Sequence, residues 1–257
     1  MLDLHCHLLP AVDDGSRSVS RSVAVLLAFK AQGITGVCLT PHLLASEAGA
    51  GVPAVQEAAF QKLAPAAPNG IRLMRGAEVM LDRPMDRVVA RDRAVTLNGS
   101  RYILVEFPRQ VAPTTVVDAL ALVLEIGLVP VVAHPERYSC CEPMYARRWK
   151  EMGVLLQLDG PTLLMPRTRG HRARELLSHG LCGIIAADNH GDDRSLGPVA
   201  EALHEQGGSE QAELLLTANP AALVEDREPE EVAPFALRLP LVDRMRKLFG
   251  HNKEERG

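Results

Sequence analysis

Seven short apolar, β-branched runs alternate with amphipathic stretches along most of the chain, and that alternation leaves few folds open. The runs are Leu2–His5, Ile34–Thr40, Ile71–Ala77, Tyr102–Phe107, Leu128–His134, Val154–Asp159 and Cys182–Asp188. Their apolar character is nearly continuous, without a polar residue at every second position. They are therefore expected to be parallel strands buried on both faces. Between them, Arg17–Gln32 places Val19, Val23, Leu26 and Leu27 at helical spacing and is followed by Gly33. Thr114–Ile126 and His171–His179 repeat the pattern and are followed by Gly127 and Gly180. Amphipathic helices with glycine stop signals, each leading into the next apolar run, are the parts of βαβ units.

Composition agrees with an α/β enzyme-sized chain. The 257 residues are 47% hydrophobic and 23% charged, enough for one large α/β domain or two small ones. A formal charge of −4 excludes the basic excess of a general nucleic-acid binder. The start Met1-Leu2-Asp3-Leu4-His5 has neither a basic nor an apolar leader region, and no stretch reaches the ~18 apolar residues of a membrane span. Cys6, Cys38, Cys140, Cys141 and Cys182 are scattered and odd in number, which reads as reduced thiols in a cytoplasmic protein. Two regions break the rhythm. Ala45–Asn69, rich in Ala, Gly and Pro, reads as a loop plus a weak helix. Glu225–Glu231 reads as an acidic linker, and Leu241–Phe249 as a short basic amphipathic helix. The expected division is a domain over 1–224 and a tail over 225–257.

The ionisable residues gather where the apolar runs end. His5 and His7 close the first run, with Asp14 in the loop beyond; His42 follows the second in Thr40-Pro41-His42. Glu78 follows the third, Glu106 interrupts the fourth, His134 closes the fifth, and Asp188 and His190 close the seventh. Barrel enzymes build their active sites at these carboxyl ends. Burying Glu106 in an apolar run is costly without a metal or arginine partner. In His5-Cys6-His7 the strand period sets both imidazoles on one face. Five imidazoles with four carboxylates suit Mn, Fe or Zn better than Ca or a structural Zn site. Nine donors exceed what one four-coordinate ion needs, so two or three divalent metals sharing a carboxylate are expected. Such clusters clamp phosphoryl oxygens and lower the pKa of water. Arg137 and Arg194 follow two of these histidines closely and suit bidentate phosphate capture.

These strings resemble the polymerase-and-histidinol-phosphatase (PHP) superfamily. Val12-Asp13-Asp14-Gly15 and His134-Pro135-Glu136-Arg137-Tyr138 are similar within it to the capsule-type bacterial protein tyrosine phosphatases of the CpsB/CapC group. The resemblance runs from Met1 to about Pro220. It implies a distorted seven-stranded (β/α) barrel holding a trinuclear centre, usually of manganese. One metal would take His5, His7, Glu78 and Asp188; Glu78 would bridge to a second held by Glu106 and His134; Asp14, His42 and His190 would hold the third. Arg137 and Arg194 would hold the phosphate. The implied substrate is the phosphotyrosine-bearing C-terminal tail of a membrane-associated bacterial tyrosine kinase that controls capsule or exopolysaccharide export. Departures from the pattern are Asn189 and Gly191, where relatives usually carry Ala and Asn, and Asp159 in place of Asn. The first helix, Ser18-Val19-Ser20-Arg21-Ser22-Val23, lacks the acid of a Glu-x-x-Arg pattern tied to ring-shaped homo-oligomers.

A rival motif lies in Cys141-Glu142-Pro143-Met144-Tyr145-Ala146-Arg147, which matches the C-x5-R loop of cysteine-dependent tyrosine phosphatases. It has no Gly, and Pro143 lacks the N–H such a phosphate cradle uses, so it reads as a coincidence. Two other readings stay open from sequence: a small-molecule phosphatase acting on a histidinol-phosphate-like substrate, and a catalytically silent metal-binding regulator of polysaccharide assembly. Nothing supports a P-loop, a GxSxG elbow or a dinucleotide fingerprint.

Overall fold

The computed structural model describes residues 1–239. Its strands are β1 Leu2–Cys6, β2 Gly36–Leu39, β3 His42–Leu44, β4 Arg72–Arg75, β5 Glu78–Met80, β6 Tyr102–Glu106, β7 Val129–Ala133, β8 Leu155–Asp159 and β9 Ile184–Ala186. All pair in parallel, in a three-stranded sheet β1-β2-β4 and a six-stranded sheet β3-β5-β6-β7-β8-β9. The fold is α/β, with helices in the connections. Each of the seven apolar runs contains a strand, and β3 and β5 are additional short strands.

The two additions have a local cause. Pro41 has no N–H to give to a ladder, so the run that makes β2 breaks there and resumes as β3 in the other sheet. The break between β4 and β5 falls at Gly76-Ala77, whose N–H groups bond outside strand pairing, to Leu39 and Val95 carbonyls. A Cβ at Gly76 would lie 3.2 Å from Cys38 Sγ and from Leu97, so the chain passes close to its neighbours there. The chain thus leaves the three-stranded sheet twice, returning to it once at β4, and β3 pairs with β5 so that His42 stands opposite Glu78. At the other edges, β1 meets the chain beyond β9 through a parallel bridge between Cys6 and Asn189, with His7 N donating to Asn189 O at 2.8 Å.

The helices expected from periodicity form at Val19–Ala31, Pro113–Glu125 and Thr168–Ser178. Ser18 caps the first by accepting from Arg21 N, and Gly33, in the left-handed region, ends it. The third begins at Thr168, three residues before the apolar periodicity does. Ala45–Asn69 carries two helices, Ala45–Ala48 and Ala54–Leu63. The core is aliphatic, with Phe29, Tyr102, Tyr138 and Trp149 fully buried within it. Residues 227–239 have no regular structure but lie on the body of the molecule. Val232 and Leu237 are buried, and Asn219 exchanges two hydrogen bonds with the Glu230 backbone. The stretch 241–249 lies outside the described residues.

Helix Val19–Ala31 buries Phe29 and leaves Leu27 53% exposed. Phe29→Ala is expected to destabilise by about 3–5 kcal/mol, and Leu27→Ala by under about 0.5 kcal/mol. Urea denaturation followed by circular dichroism measures both; equal losses would refute this packing.

Candidate metal centre

β1 and the residue after it bring His5 and His7 to one place, fully buried, with their Nε2 atoms 3.2 Å apart. Glu78, at the first position of β5, meets them: its Oε2 lies 3.2 Å from each Nε2 and 3.1 Å from His42 Nδ1. The other oxygen, Oε1, lies 2.8 Å from His134 Nε2. One buried carboxylate therefore touches four imidazoles. Asp188 Oδ1 approaches His5 Nε2 at 3.2 Å and both His7 Nε2 and His190 Nδ1 at 3.5 Å. Nearer the surface, Asp14 Oδ1 lies 3.3 Å from both His42 Nε2 and His190 Nε2, and Glu106 Oε1 lies 3.3 Å from His42 Nδ1.

Three donor groups result: His5, His7, Glu78 and Asp188; His7, Asp14, His42 and His190; and His42, Glu78 and Glu106. The first is buried throughout. In the second Asp14 is 69% exposed, so the cluster runs from the interior to an open mouth. Eight of the nine residues expected from sequence fall in these groups, while His134 joins through Glu78 alone. His42 offers a different nitrogen to each of its two groups, and a neutral imidazole has one lone pair, so it can serve only one. His134 and Asp188 both have positive φ, 32° and 48°. Non-glycine residues in that region are held there by their surroundings, often at functional sites.

The atoms left over fit a cation. Glu78 Oε2 and Asp188 Oδ1 are buried and have no hydrogen-bond partner, although imidazole nitrogens stand within 3.5 Å. Oxygens and nitrogens facing one another without hydrogen-bond alignment are what a common bound ion would organise. The outer faces of the His5 and His7 rings are already satisfied, whereas His134 Nδ1 is buried without a partner. His5 Nδ1 donates to Gln157 Oε1 at 2.9 Å, and His7 Nδ1 donates to Asp13 Oδ2 at 2.8 Å. Both rings then present the Nε2 lone pair inward. Asp13 also accepts from the backbone N–H of Gly15 and of His42, which ties the loop to the ligand strand. A Cβ at Gly15 would sit 2.1 Å from His7 O, so only glycine lets this loop close.

Charge in the cluster is strongly coupled. Burial disfavours charging His5 and His7, yet Glu78 and Asp188 outweigh it at His5, and Asp13 with Asp188 and Glu78 at His7, so that both are raised. His42 is pushed up to about 10 by Glu106 and Glu78 against its own burial. Burial likewise opposes ionising Glu78 and Asp188, but the surrounding imidazoles, joined at Asp188 by Arg137, hold both below the usual carboxylate range. His190 is lowered by burial and by His7.

The two arginines stand on Asp188. Arg137 Nη2 binds Asp188 Oδ2 and lies 2.9 Å from Asp159 Oδ2; Arg194 Nη1 lies 3.4 Å from the same Asp188 oxygen and its Nε binds Asp192 at 2.8 Å. Sequence reasoning did not assign site roles to Asp13, Gln157, Asp159 or Asp192. Gln157 could have been suspected as a lone polar residue in the apolar run of β8, the signal that marked Glu106. The C-x5-R match carries no phosphate loop. Cys141 is buried, its thiol pushed up by that burial and by Glu136, while Arg147 points to solvent.

The family model described as "Capsular polysaccharide synthesis, CpsB/CapC" matches residues 1–225. The tyrosine-protein phosphatase CpsB of Streptococcus pneumoniae is 27% identical over 88% of this chain and 99% of its own. The tyrosine-protein phosphatase YwqE of Bacillus subtilis is 28% identical over 97% and 99%. Among solved structures, one from work on YwqE and CpsB, described as metal-dependent tyrosine phosphatases, superposes with a TM-score of 0.77 at 24% identity, covering 93% of this chain and all of that one. The phosphotriesterase of Mycobacterium tuberculosis shares the fold more distantly, with a TM-score of 0.54 at 14% identity over 82% of this chain and 86% of its own. With a donor cluster assembled at the strand ends and a family model spanning nearly all the described residues, the chain belongs to the CpsB/CapC family.

Proposed function

We propose that this protein is a metal-dependent protein tyrosine phosphatase. The observation that carries the reading is the single Glu78 carboxylate in contact with four imidazoles, beside two guanidiniums gathered on Asp188. His5, His7, Glu78 and Asp188 are assigned to one divalent ion, Glu78, Glu106 and His134 to a second, and Asp14, His42 and His190 to a third. This gives His42 one role, as its single lone pair requires. Mn²⁺ suits the mixed imidazole and carboxylate set, with Fe or Zn as alternatives. When bound, such ions supply Lewis-acid charge to phosphoryl oxygens and lower the pKa of nearby water.

The chain's own residues do the rest. Asp13 and Gln157 hold the His7 and His5 rings in the tautomer that points Nε2 inward. Asp159 and Asp192 fix Arg137 and Arg194 in place, ready to receive a phosphate dianion and to neutralise charge as the ester bond breaks. The buried Cys141 supplies no thiolate, so no phosphocysteine forms. The leaving phenolate needs little help from a general acid. The architecture is read as a distorted seven-stranded barrel: β2 with β3, and β4 with β5, each count as one broken strand, and the Cys6–Asn189 bridge joins the two sheets. Residues 1–224 are the catalytic unit and 225–257 an appended tail. The substrate is taken to be the phosphotyrosine tail of a bacterial tyrosine kinase in the cytoplasm, and no helix among the described residues is long and apolar enough to cross a membrane.

An assay panel of phosphotyrosine peptide, phosphoserine peptide and histidinol phosphate, each with Mn²⁺ or EDTA, tests this reading. Mn²⁺-dependent turnover favouring phosphotyrosine is expected. Turnover that survives EDTA but disappears in Cys141→Ser would overturn it, and a preference for histidinol phosphate would move the substrate to a small molecule. Asp13→Asn should weaken Mn²⁺ binding by about 10–100-fold, measured by calorimetry; an unchanged affinity would remove Asp13 from the account. Because neighbouring carboxylates raise His5, His7 and His42, ligands must shed protons to bind metal. Metal affinity should therefore fall as pH falls, with proton release visible as a dependence of the calorimetric heat on buffer. Uptake of metal without proton release would contradict that.

A further inference from the structure

Beside Arg137 the surface carries positive charge that the metal centre does not use. Arg109 O accepts from Ser139 N at 2.8 Å, which sets the loop after β6 against the turn that carries Arg137. Helix Thr168–Ser178 packs on the other side of that turn: Arg172 Nη1 donates to Tyr138 O at 3.3 Å. Gly170 backs so closely onto the Met165 and Thr162 carbonyls that a Cβ would lie 2.0 Å and 2.7 Å from them. This seats the start of the helix, and with it Arg169, at the same rim. Burial and then the neighbouring charges of Arg109 and Arg137 make the Arg169 cation less favourable than usual, so the three guanidiniums lie in one another's fields.

The nearby acids do not neutralise this rim. Asp159 is buried and engaged with Arg137 and Thr162, and Glu136 is buried and accepts from Asp159 N. Among the described residues Arg109 and Arg169 are both exposed, and neither forms an ion pair, whereas Arg137 and Arg194 both do. Elsewhere around the mouth the charges are paired: Asp14 faces His42 and His190, Asp192 binds Arg194, and Asp193 lies 3.9 Å from Arg21. Like charges held together without counter-ions form a site for an anion. An extended peptide advances ~3.3 Å per residue, so a residue flanking the scissile phosphotyrosine reaches a rim next to the phosphate-holding Arg137.

We infer that Arg109 and Arg169 form an anion subsite that selects phosphotyrosine peptides carrying a carboxylate or a second phosphate close to the scissile residue. This rests on the phosphatase reading above and adds the class of peptide taken.

Three phosphotyrosine peptides differing only in Glu, Ala or Lys flanks test it on the full-length Mn²⁺-loaded protein. The wild-type protein should favour the Glu-flanked over the Ala-flanked peptide about tenfold in kcat/KM, chiefly through KM, and about 0.5 M salt should erase the preference. In R109A/R169A the Glu-to-Ala ratio should fall close to one, and R109K/R169K should restore most of it. The charge-reversed R109E/R169E should prefer the Lys-flanked peptide, a gain that misfolding cannot produce. Equal kcat/KM for all three peptides in the wild-type protein would overturn the inference while leaving the phosphatase reading intact. Absence of turnover on any aryl phosphate would overturn the phosphatase reading. In that case fluorescence anisotropy with phosphonomethyl-phenylalanine peptides still reports flank-dependent binding and separates the two failures. Arg109- and Arg169-dependent sedimentation with phosphatidylglycerol vesicles, without any flank preference, would overturn it in favour of a membrane surface.

Discussion

The Glu78 carboxylate is the point on which the site turns. A buried, ionised carboxylate is expensive unless opposite charge surrounds it, and here four imidazoles do so from β1 and the residue after it, from β3 and from the loop after β7. The reverse also holds. Buried imidazoles would lose their charge were Glu78, Asp188 and, at His7, Asp13 not beside them. Neither half of the cluster is stable in this form alone, which makes the whole a receptor for a cation that can replace the protons.

The scaffold exists to make that convergence affordable. Parallel strands put all their carboxyl ends on one side, so residues far apart in sequence arrive together without long side chains. The two breaks, at Pro41 and at Gly76-Ala77, move the chain from one sheet to the other just before His42 and Glu78 and pair them in register. Outer hydrogen bonds from Asp13 and Gln157 then fix ring orientation. Two of the residues proposed as ligands, His134 and Asp188, are held at positive φ, a strain the packed sheets around them must sustain.

Much of this was legible in the sequence because two strong signals coincide. Apolar runs fixed where strands would lie, and titratable residues at their ends fixed where a metal centre could form. The two short strands β3 and β5 were not legible, since three residues carry no period; only Pro41 hinted at a break. The early start of helix Thr168–Ser178 is not legible because its first turn, Thr168-Arg169-Gly170, carries no apolar side chain to set a period. The outer partners were hidden for a different reason. Gln157 reaches His5 across 152 positions of sequence, and no spacing rule reports such a contact. Asp13 and Asp14 are neighbours of the same type, and only the fold tells which one holds the His7 ring and which faces the mouth.

Net charge was the least informative feature. A formal −4 describes the surface of a mildly acidic protein and says nothing of a pocket where acids and imidazoles are interleaved and arginines line one rim. The central claim is that Glu78 is shared between ions. Anomalous diffraction from crystals grown with Mn²⁺, recorded above and below the manganese edge, tests it directly. The account predicts at least two anomalous peaks, with one Glu78 oxygen within coordination distance of each of two ions and His5, His7 and Asp188 around one of them. A single peak, or peaks that leave Glu78 uncoordinated, would contradict it.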